Sequence, residues 1–338
     1  MATGFSLWES GQVQKVWALQ VITEAMDIMA LDKFTGTDIN SIIQKRTDLQ
    51  KDKGDRITFD ILIKMSGSPI TGNNELKGNE KKLVFYQDTA IIDMARDAFV
   101  KHERLENLKS QKNMLELGKQ ALKSYFAEIM DEYGMRALCG DTALTYSQTG
   151  TAPTVTRSAW GGDASADNNV GTNDWLGVYE ISRVKVLAQV ASPRFRGVRL
   201  QGKEHFVMFI HPYQTFQLKQ DAAFTQAMRE ALPRSEKDNP LFNGLLAMWD
   251  GVALYEDENV LLSYSTNVRR AVLCGAQAAC MPFGGGPFAD EDHDDYGERH
   301  GVGLSLLWGI KKTVFNAVDY ATYTIATYAP APAAKSHT

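Results

Sequence analysis

This chain of 338 residues has few cysteines, a small net charge and no long apolar run. The three cysteines are an odd number in apolar surroundings, which indicates buried free thiols in a reducing compartment and not a disulfide framework. The formal net charge of −5 provides no strong field that would draw the chain to nucleic acid or to an anionic membrane. No run of about 18 apolar residues predicts a membrane span, and residues 1–10 lack the features of a signal peptide. These absences predict a protein made in the cytoplasm, without a membrane partner.

The motifs of several enzyme and metal classes are absent as well. The sequence has no phosphate-binding G-x-x-x-x-G-K-[ST] loop, no G-x-S-x-G elbow, no H-E-x-x-H helix and no C-x-x-C pair. Residues 290–295 begin with the aspartate spacing of a calcium loop, but Asp295 stands where glycine is required and Gly301 where glutamate is. We interpret this run as a solvated acidic loop. His211 precedes Pro212 and is expected to cap or pack, so we predict no catalytic residue, no metal site and no cofactor.

An alternating strand opens a long ribbon near residue 57. Residues 57–65 place an apolar side chain at every second position, and residues 81–88 form a second strand candidate after glycine-rich turns. A two-stranded ribbon is at best marginally stable by itself in water, so we expect it to lie over another surface. Its candidate contacts with a neighbouring subunit are Ile57, Phe59, Ile61, Lys64, Lys81 and Phe85.

The N-terminal segment is apolar and has no compact partner nearby in the sequence. Residues 8–31 carry apolar side chains at loosely helical spacing, and a polar, charged segment follows at residues 35–54. This order is typical of an arm that is buried on a neighbouring subunit, although packing on its own long helix is the alternative. The candidate contact residues are Trp8, Val13, Trp17, Val21 and Ile28.

The remaining elements predict an α+β class. An amphipathic stripe indicates a long helix over residues 105–135, whereas residues 89–100 fit both a helix and an extended segment. Further helices are predicted over residues 174–190, with its cap at Asn173 or Asp174, and over residues 214–232. Strands are predicted at residues 205–210, 252–255, 270–274, 302–308, 313–318 and 322–327.

Several short motifs occur in an order that is typical of one family. Residues 47–59, TDLQKDKGDRITF, are similar to the start of the protruding E-loop in capsid proteins of phages related to N-four. Matching motifs follow at residues 86–88, 138–140, 211–214, 239–244, 295–297 and 309–315. The chain therefore resembles the major capsid proteins of tailed bacteriophages with the Hong Kong 97-type fold. Residues 320–322 depart from the family pattern, which leaves the register of the last strand open.

The resemblance implies a Hong Kong 97-like α+β fold with five parts. These are an N-terminal arm at 1–50, an E-loop at 51–100, a P domain with a long spine helix at 101–165, an A domain at 166–295, and final P-domain strands with a C-terminal tail at 296–338.

The resemblance also implies a structural role without catalysis. Copies of the chain would self-assemble, as hexamers and pentamers, into the icosahedral shell of a virion in the host cytoplasm. Expected partners are a portal protein, a separate scaffolding protein, a decoration protein, and packaged double-stranded DNA through weak non-specific contact. The alternatives are an enzyme with an unrecognised site and a nucleic-acid-associated structural protein. The scattered lysines and arginines argue against the second alternative, because binding to nucleic acid needs a basic face.

Overall fold

The computed structural model describes most of the chain from residue 20 to residue 332. The described residues are 20–26, 28–48, 54–63, 69–73, 75–77, 86–101, 114–200, 203–231, 245–263, 265–285, 287–294 and 299–332.

Helices and strands alternate irregularly along the chain, as the α+β class requires. The helices are α1 (Met114–Cys139), α2 (Val178–Val190), α3 (Pro212–Leu218) and α4 (Ala222–Ala231). The strands are β1 (Thr35–Gly36), β2 (Ile43–Arg46), β3 (Arg56–Ile61), β4 (Tyr86–Ile91), β5 (Asp93–Lys101), β6 (Ser158–Trp160), β7 (Val198–Leu200), β8 (Lys203–Ile210), β9 (Leu245–Trp249), β10 (Val252–Glu256), β11 (Val268–Cys274), β12 (Ala279–Pro282), β13 (Phe288–Asp294), β14 (Arg299–Trp308), β15 (Lys311–Lys312), β16 (Val314–Phe315), β17 (Val318–Asp319) and β18 (Thr322–Tyr328).

A mixed sheet of seven strands divides the molecule into two cores. Its order is β6-β18-β11-β8-β10-β9, with β7 paired to β8. Because successive side chains of a strand point to opposite faces, Val207 and Phe209 of β8 enter one core, while Phe206, Met208 and Ile210 enter the other. The predicted strand at 205–210 is confirmed, and its apolar run reflects burial on both faces.

The core under the first face is closed by segments from distant parts of the sequence. The spine helix α1 contributes to it, together with residues 21–43 of the arm and the strands β3 and β14. Strand β2 pairs in parallel with β12, so this part of the predicted arm belongs to the body of the molecule. At 26 residues, α1 spans about 39 Å.

Helix α1 ends four residues later than the sequence predicts, at Cys139. Gly140 follows with a φ of +76°, a conformation that glycine adopts without steric cost. The amide of Asp141 donates to the carbonyl of Arg136 over 2.9 Å, which satisfies an end-of-helix carbonyl. The same arginine donates from Nε to the Asp141 carboxylate over 2.7 Å, so the end of the spine is fixed at both backbone and side chain.

Three sequence predictions about local structure are wrong. Helix α2 begins at Val178, and Asp221 Oδ2, not residue 173 or 174, accepts the amide of Val178 over 3.2 Å. The predicted helix over 214–232 is two helices, and Asp221 Oδ1 accepts the amide of Ala223 at the start of the second over 3.0 Å. The acidic run is a strand, β13, because it pairs along its whole length with β14.

The ambiguous and doubtful segments resolve into strands. Residues 93–101 form β5, which agrees with the extended reading of residues 89–100. A fourth prediction, the single strand at 313–318, is wrong, because these residues contain the turn between β16 and β17, with positive φ at Asn316 and Ala317. The last strand, β18, is antiparallel to β11, with Thr322 opposite Cys274. The proposed division at residue 295 would fall between β13 and β14, which are neighbours in one three-stranded sheet with β5.

Candidate functional site

The base of the E-loop, formed by β3 and β4, is buried in its own chain. The antiparallel register places Ile61 opposite Tyr86, and the described part of the predicted ribbon is thereby confirmed. Ile57, Phe59 and Ile61 share one face and are each at most 4% exposed. Their assignment to a neighbour is therefore corrected, because the single chain already covers these side chains.

Gln277 anchors the outgoing strand of the E-loop base. This side chain is fully buried, and its Nε2 donates to the carbonyl of Asp60 over 2.9 Å. Its Oε1 accepts the amide of Leu62 over 3.2 Å, and the Tyr320 hydroxyl donates to the Leu62 carbonyl over 2.5 Å. The chain therefore leaves the body at residue 63 from a fixed position.

Asp88 anchors the returning strand in the same way. Lys311 Nζ lies 2.5 Å from Asp88 Oδ1, and the amide of Val314 donates to Oδ2 over 3.0 Å. Both side chains of the ion pair are largely buried, so removing one partner would leave the other charge without compensation. Both strands of the E-loop base are thus tied to residues in the C-terminal part of the sequence. Lys64, Lys81 and Phe85 lie outside the described residues.

The described part of the arm packs on the spine helix of its own chain. Asp131 of α1 accepts the amides of Ala30 and Leu31 over 2.8 and 3.0 Å. Gly134 allows this approach, since a Cβ there would lie 2.5 Å from Leu31 Cδ1. Lys123 Nζ also lies 2.8 Å from Glu24 Oε2. The alternative in which the arm packs on its own helix therefore holds for residues 20–26 and 28–34.

Two interface candidates of the arm fall within these described residues. Val21 is buried in its own chain, so its assignment to a neighbour is corrected. Ile28 is exposed and stays a candidate. Trp8, Val13 and Trp17 lie outside the described residues.

Helix α2 carries apolar side chains that its own chain leaves uncovered. Tyr179 is 73% exposed, Val186 is 53% exposed and Val190 is 80% exposed. These positions lie on one face of a helix, and Ile181 and Val184 on the other face enter the second core. Sequence reasoning missed this surface. The available signal was a short helix that is apolar on both faces, which is unusual at a free surface.

The outer face of the three-stranded sheet is a second partly apolar surface. Met94, Val100 and Phe288 are exposed on it. A groove of about 520 Å³ lies there, lined among others by Ala98 and Gly303. The central strand β14 is glycine-rich at this point, which keeps the face flat.

An acidic cavity of about 510 Å³ lies where the arm meets the spine. Its carboxylates belong to Glu128, Asp131, Glu132, Glu256, Asp257 and Glu258. Burial raises the pKa of Asp257 to about 6, and the nearby Asp131 and Glu258 act in the same direction. Burial also raises the pKa of Asp131, against the two backbone amides that lower it. These carboxylates are more easily protonated than ordinary aspartates.

No chemistry typical of an enzyme is assembled in the described residues. Within them, no group of histidine, cysteine, aspartate or glutamate side chains is arranged to hold a metal ion. Burial raises the pKa of Cys139 to about 11 and that of Cys280 to about 12, so neither thiol ionises readily to a nucleophile. Among the helices described, none is long and apolar enough to cross a membrane.

His211 has the capping role that the sequence suggests. Its Nδ1 accepts the amide of Tyr213 over 3.1 Å, and its own amide donates to Gln214 Oε1 over 2.9 Å. Burial lowers the pKa of His211 to about 4, and the charge of Arg269 contributes. The ring is therefore neutral at pH 7, as an acceptor at Nδ1 requires.

Comparison with known proteins decides what these surfaces belong to. The family model described as phage capsid protein matches residues 7–331. This chain belongs to the phage capsid protein family. The capsid protein is 26% identical to the major capsid protein of Pseudomonas phage KPP25 over 344 residues, which covers 91% of each chain.

Solved capsid structures share the fold of this capsid protein. The capsid of Ralstonia phage GP4 superposes with a TM-score of 0.78 at 27% identity, over 89% of this chain and 91% of the other. The capsid asymmetric unit of cyanophage Pam1 superposes with a TM-score of 0.73 at 24% identity, over 88% and 92%. The fold is the Hong Kong 97-type α+β fold that the sequence predicts.

The capsid protein is a structural component and not an enzyme. It is a major capsid protein that forms the icosahedral shell of a phage and is part of the virion. The exposed apolar surfaces of α2 and of the three-stranded sheet therefore belong to a molecule that is surrounded by copies of itself.

Proposed function

We propose that the chain builds its shell from hexamers and pentamers in which the outer face of α2 contacts an adjacent copy. The observation that carries this proposal is the uncovered row of Tyr179, Val186 and Val190 on a helix whose inner face is fully packed. Burying a large apolar side chain contributes about 1.5–3 kcal/mol, and each copy in a closed shell would repeat the contact. Contacts that join different patches of identical subunits close into rings.

The distal part of the E-loop is proposed to lie over an adjacent copy. The support is the E-loop base: both of its strands are fixed to their own body by Gln277 and Asp88, and a ribbon is marginally stable alone. A neighbouring copy would supply the surface beneath residues 64–85. Ile28, together with the preceding arm residues Trp8, Val13 and Trp17, is proposed as a further contact.

The remaining partners are proposed from the sequence and the family. A separate scaffolding protein would guide assembly in the host cytoplasm, a portal protein would occupy one vertex, and a decoration protein would bind the outside. Packaged DNA would touch the shell only weakly, because the net charge of −5 gives no general attraction to phosphates. Assembly is proposed to be non-covalent.

Assembly of purified protein tests the role of α2. In the double variant Tyr179→Ser/Val190→Ser, we expect a folded monomer that fails to form capsomers or shells in negative-stain micrographs and in sedimentation velocity. Val155→Ser is the matched control, because Val155 is equally exposed but lies outside α2. Normal shells from the double variant would refute the proposal.

Shortening the E-loop tests its role separately. Replacing residues 66–83 by a four-residue turn keeps the E-loop base and removes the distal part. We expect unchanged thermal unfolding of the monomer together with a loss of closed shells. Closed shells of normal size would show that the distal E-loop makes no necessary contact with a neighbour.

A further inference from the structure

A groove rich in arginine lies between the E-loop base and the segment that follows α2. It has a volume of about 220 Å³, and Leu62 and Phe195 contribute its apolar lining. Arg194, Arg196 and Arg199 also line it. We call this feature the arginine groove. Glu204 is the single carboxylate among the described residues that line it.

The walls of the arginine groove are held rigidly. Arg196 donates from Nη2 to the carbonyl of Ile39 and, over 3.2 Å, to Gln277 Oε1. The buried Arg157 donates to the carbonyl of Pro193 over 2.8 Å, and its guanidinium lies 4.9 Å from the ring centre of Phe195. These contacts hold the segment in place, and the acceptors of their hydrogen bonds are uncharged. The arginine groove is therefore preorganised.

Among the described residues that line the arginine groove, the positive charges outnumber the negative charges by two. Arg194 is exposed and forms no ion pair with any residue that the structure describes. Arg199 lies 3.8 Å from Glu204, and its side chain is 70% exposed. Arg196 points its Nη2 at uncharged acceptors, and its buried Nε makes no hydrogen bond with a described residue. Three guanidinium groups therefore face one carboxylate.

The opposite charge is concentrated on β13. Its sequence, FADEDHD, has four acidic residues among seven, and Asp290 and Asp292 are exposed. Side chains alternate along a strand, so Asp290 and Asp292 point to the same outer face of the three-stranded sheet. Within the described part of a single chain, no ion pair joins this strand to the arginine groove.

We propose that the arginine groove receives the acidic strand β13 of a neighbouring copy. Each copy carries one groove and one acidic strand, so the contact is heterologous and continues from copy to copy. Opposite charges on the two surfaces would steer the approach of the copies and select their register. The inference rests on the shell-building arrangement proposed above, and it adds which two surfaces meet.

Charge reversal and mixing test this inference. We expect Arg194→Glu/Arg199→Glu and Asp290→Lys/Asp292→Lys each to raise the protein concentration needed for assembly about tenfold or more. A chain that carries all four substitutions should assemble again. An equal mixture of the two double variants should also form capsomer-sized oligomers, since the reversed groove of one fits the reversed strand of the other. Sedimentation velocity and micrographs give the readout.

Controls separate the contact from folding and from general charge. Lys219→Glu reverses one positive charge at an exposed position outside the groove, half the change made in the arginine double variant, and should assemble normally. Thermal unfolding of each variant monitors folding, and the milder pair Arg194→Gln/Arg199→Gln replaces any reversed variant that does not fold. It should also weaken assembly, by a smaller factor.

Three outcomes would overturn the inference. Normal assembly of both double variants would overturn it alone and leave the proposed shell arrangement intact. Normal shells that retain less DNA only in the arginine variant would assign the groove to nucleic acid instead. Failure of the unsubstituted chain to form capsomers would overturn the proposed arrangement, and the inference with it.

Discussion

The two faces of the seven-stranded sheet are covered in different ways. On one face, Val207 and Phe209 lie beneath the spine helix, the arm and the E-loop base, which come from widely separated parts of the sequence. On the other face, Phe206 and Met208 lie beneath α2 and its neighbours, which are close in sequence. The first covering buries Val207 and Phe209 within one chain. The second ends in a helix whose outer face is itself apolar.

The two faces show that an apolar side chain is not always covered by its own chain. Phe59 and Val190 both belong to apolar rows that a sequence pattern can identify. Phe59 is 1% exposed because β3 closes the first core, whereas Val190 is left at the surface for another molecule. Substitutions on the two sides should therefore act on different equilibria, folding in the first case and assembly in the second.

Phe59→Ala should have the largest effect on folding. Removing a buried phenylalanine side chain costs about 3–5 kcal/mol of unfolding free energy, and urea unfolding of the monomer measures it. Thr58→Ala, on the exposed face of the same strand, is the matched control and should change the free energy by less than about 0.5 kcal/mol. Equal effects at the two positions would contradict the burial of the E-loop base in its own chain.

Asp257→Asn should stabilise the side of the molecule where the arm meets the spine. The pKa of Asp257 is about 6, above its ordinary 3.8, so its charged form is disfavoured in the folded state at pH 7. We expect a gain of about 2–3 kcal/mol at pH 7. The unsubstituted chain should recover this difference as the pH falls from about 6 to about 4.

Urea unfolding of Asp257→Asn and of the unsubstituted chain at pH 7 and pH 5 gives the measurement. Glu258→Gln, which removes an exposed carboxylate of the same cavity, is the control with a smaller expected gain. If Asp257→Asn is less stable than the unsubstituted chain at pH 7, the interactions of the charged Asp257 carboxylate outweigh the cost of its burial.

His211→Ala should have a smaller effect, with the opposite dependence on pH. Loss of an N-cap acceptor costs about 1 kcal/mol, and His211→Asn should restore most of it because asparagine also caps. The pKa of His211 is about 4 in the folded state, below its ordinary 6.5. Its contribution is therefore complete above pH 6.5 and is lost as the pH falls towards 4. His211→Asn should flatten this part of the stability profile; an unchanged profile would rule out the neutral cap.

Tyr179→Ser/Val190→Ser should change the stability of the monomer least. Both side chains are mostly exposed, so their truncation removes little burial within the chain, and we expect a change of less than about 0.5 kcal/mol. Monomer unfolding in urea checks this. A loss above about 2 kcal/mol would place these side chains in the second core, remove the contrast between the two faces, and withdraw the α2 contact.

Local sequence signals predicted the elements whose causes are local. The apolar run at 205–210 is confirmed as β8, and His211 followed by Pro212 is confirmed as the start of α3, because a cap and a fixed φ act within four residues. The alternation at 57–61 is confirmed as a strand with one buried face. The order of motifs along the chain was sufficient to predict the family and the fold.

Tertiary structure decided the features whose causes are distant in sequence. Asp221 caps α2 across 43 residues, so no nearby residue could show where that helix begins. The acidic run became β13 because β14 supplies its hydrogen-bond partners, which charge composition does not encode. Alternation fixes which side chains share a face over a few residues, whereas the molecule that covers that face depends on contacts between distant segments. For that reason the sequence alone identified Ile57, Phe59 and Ile61 as apolar contacts but assigned them to the wrong chain.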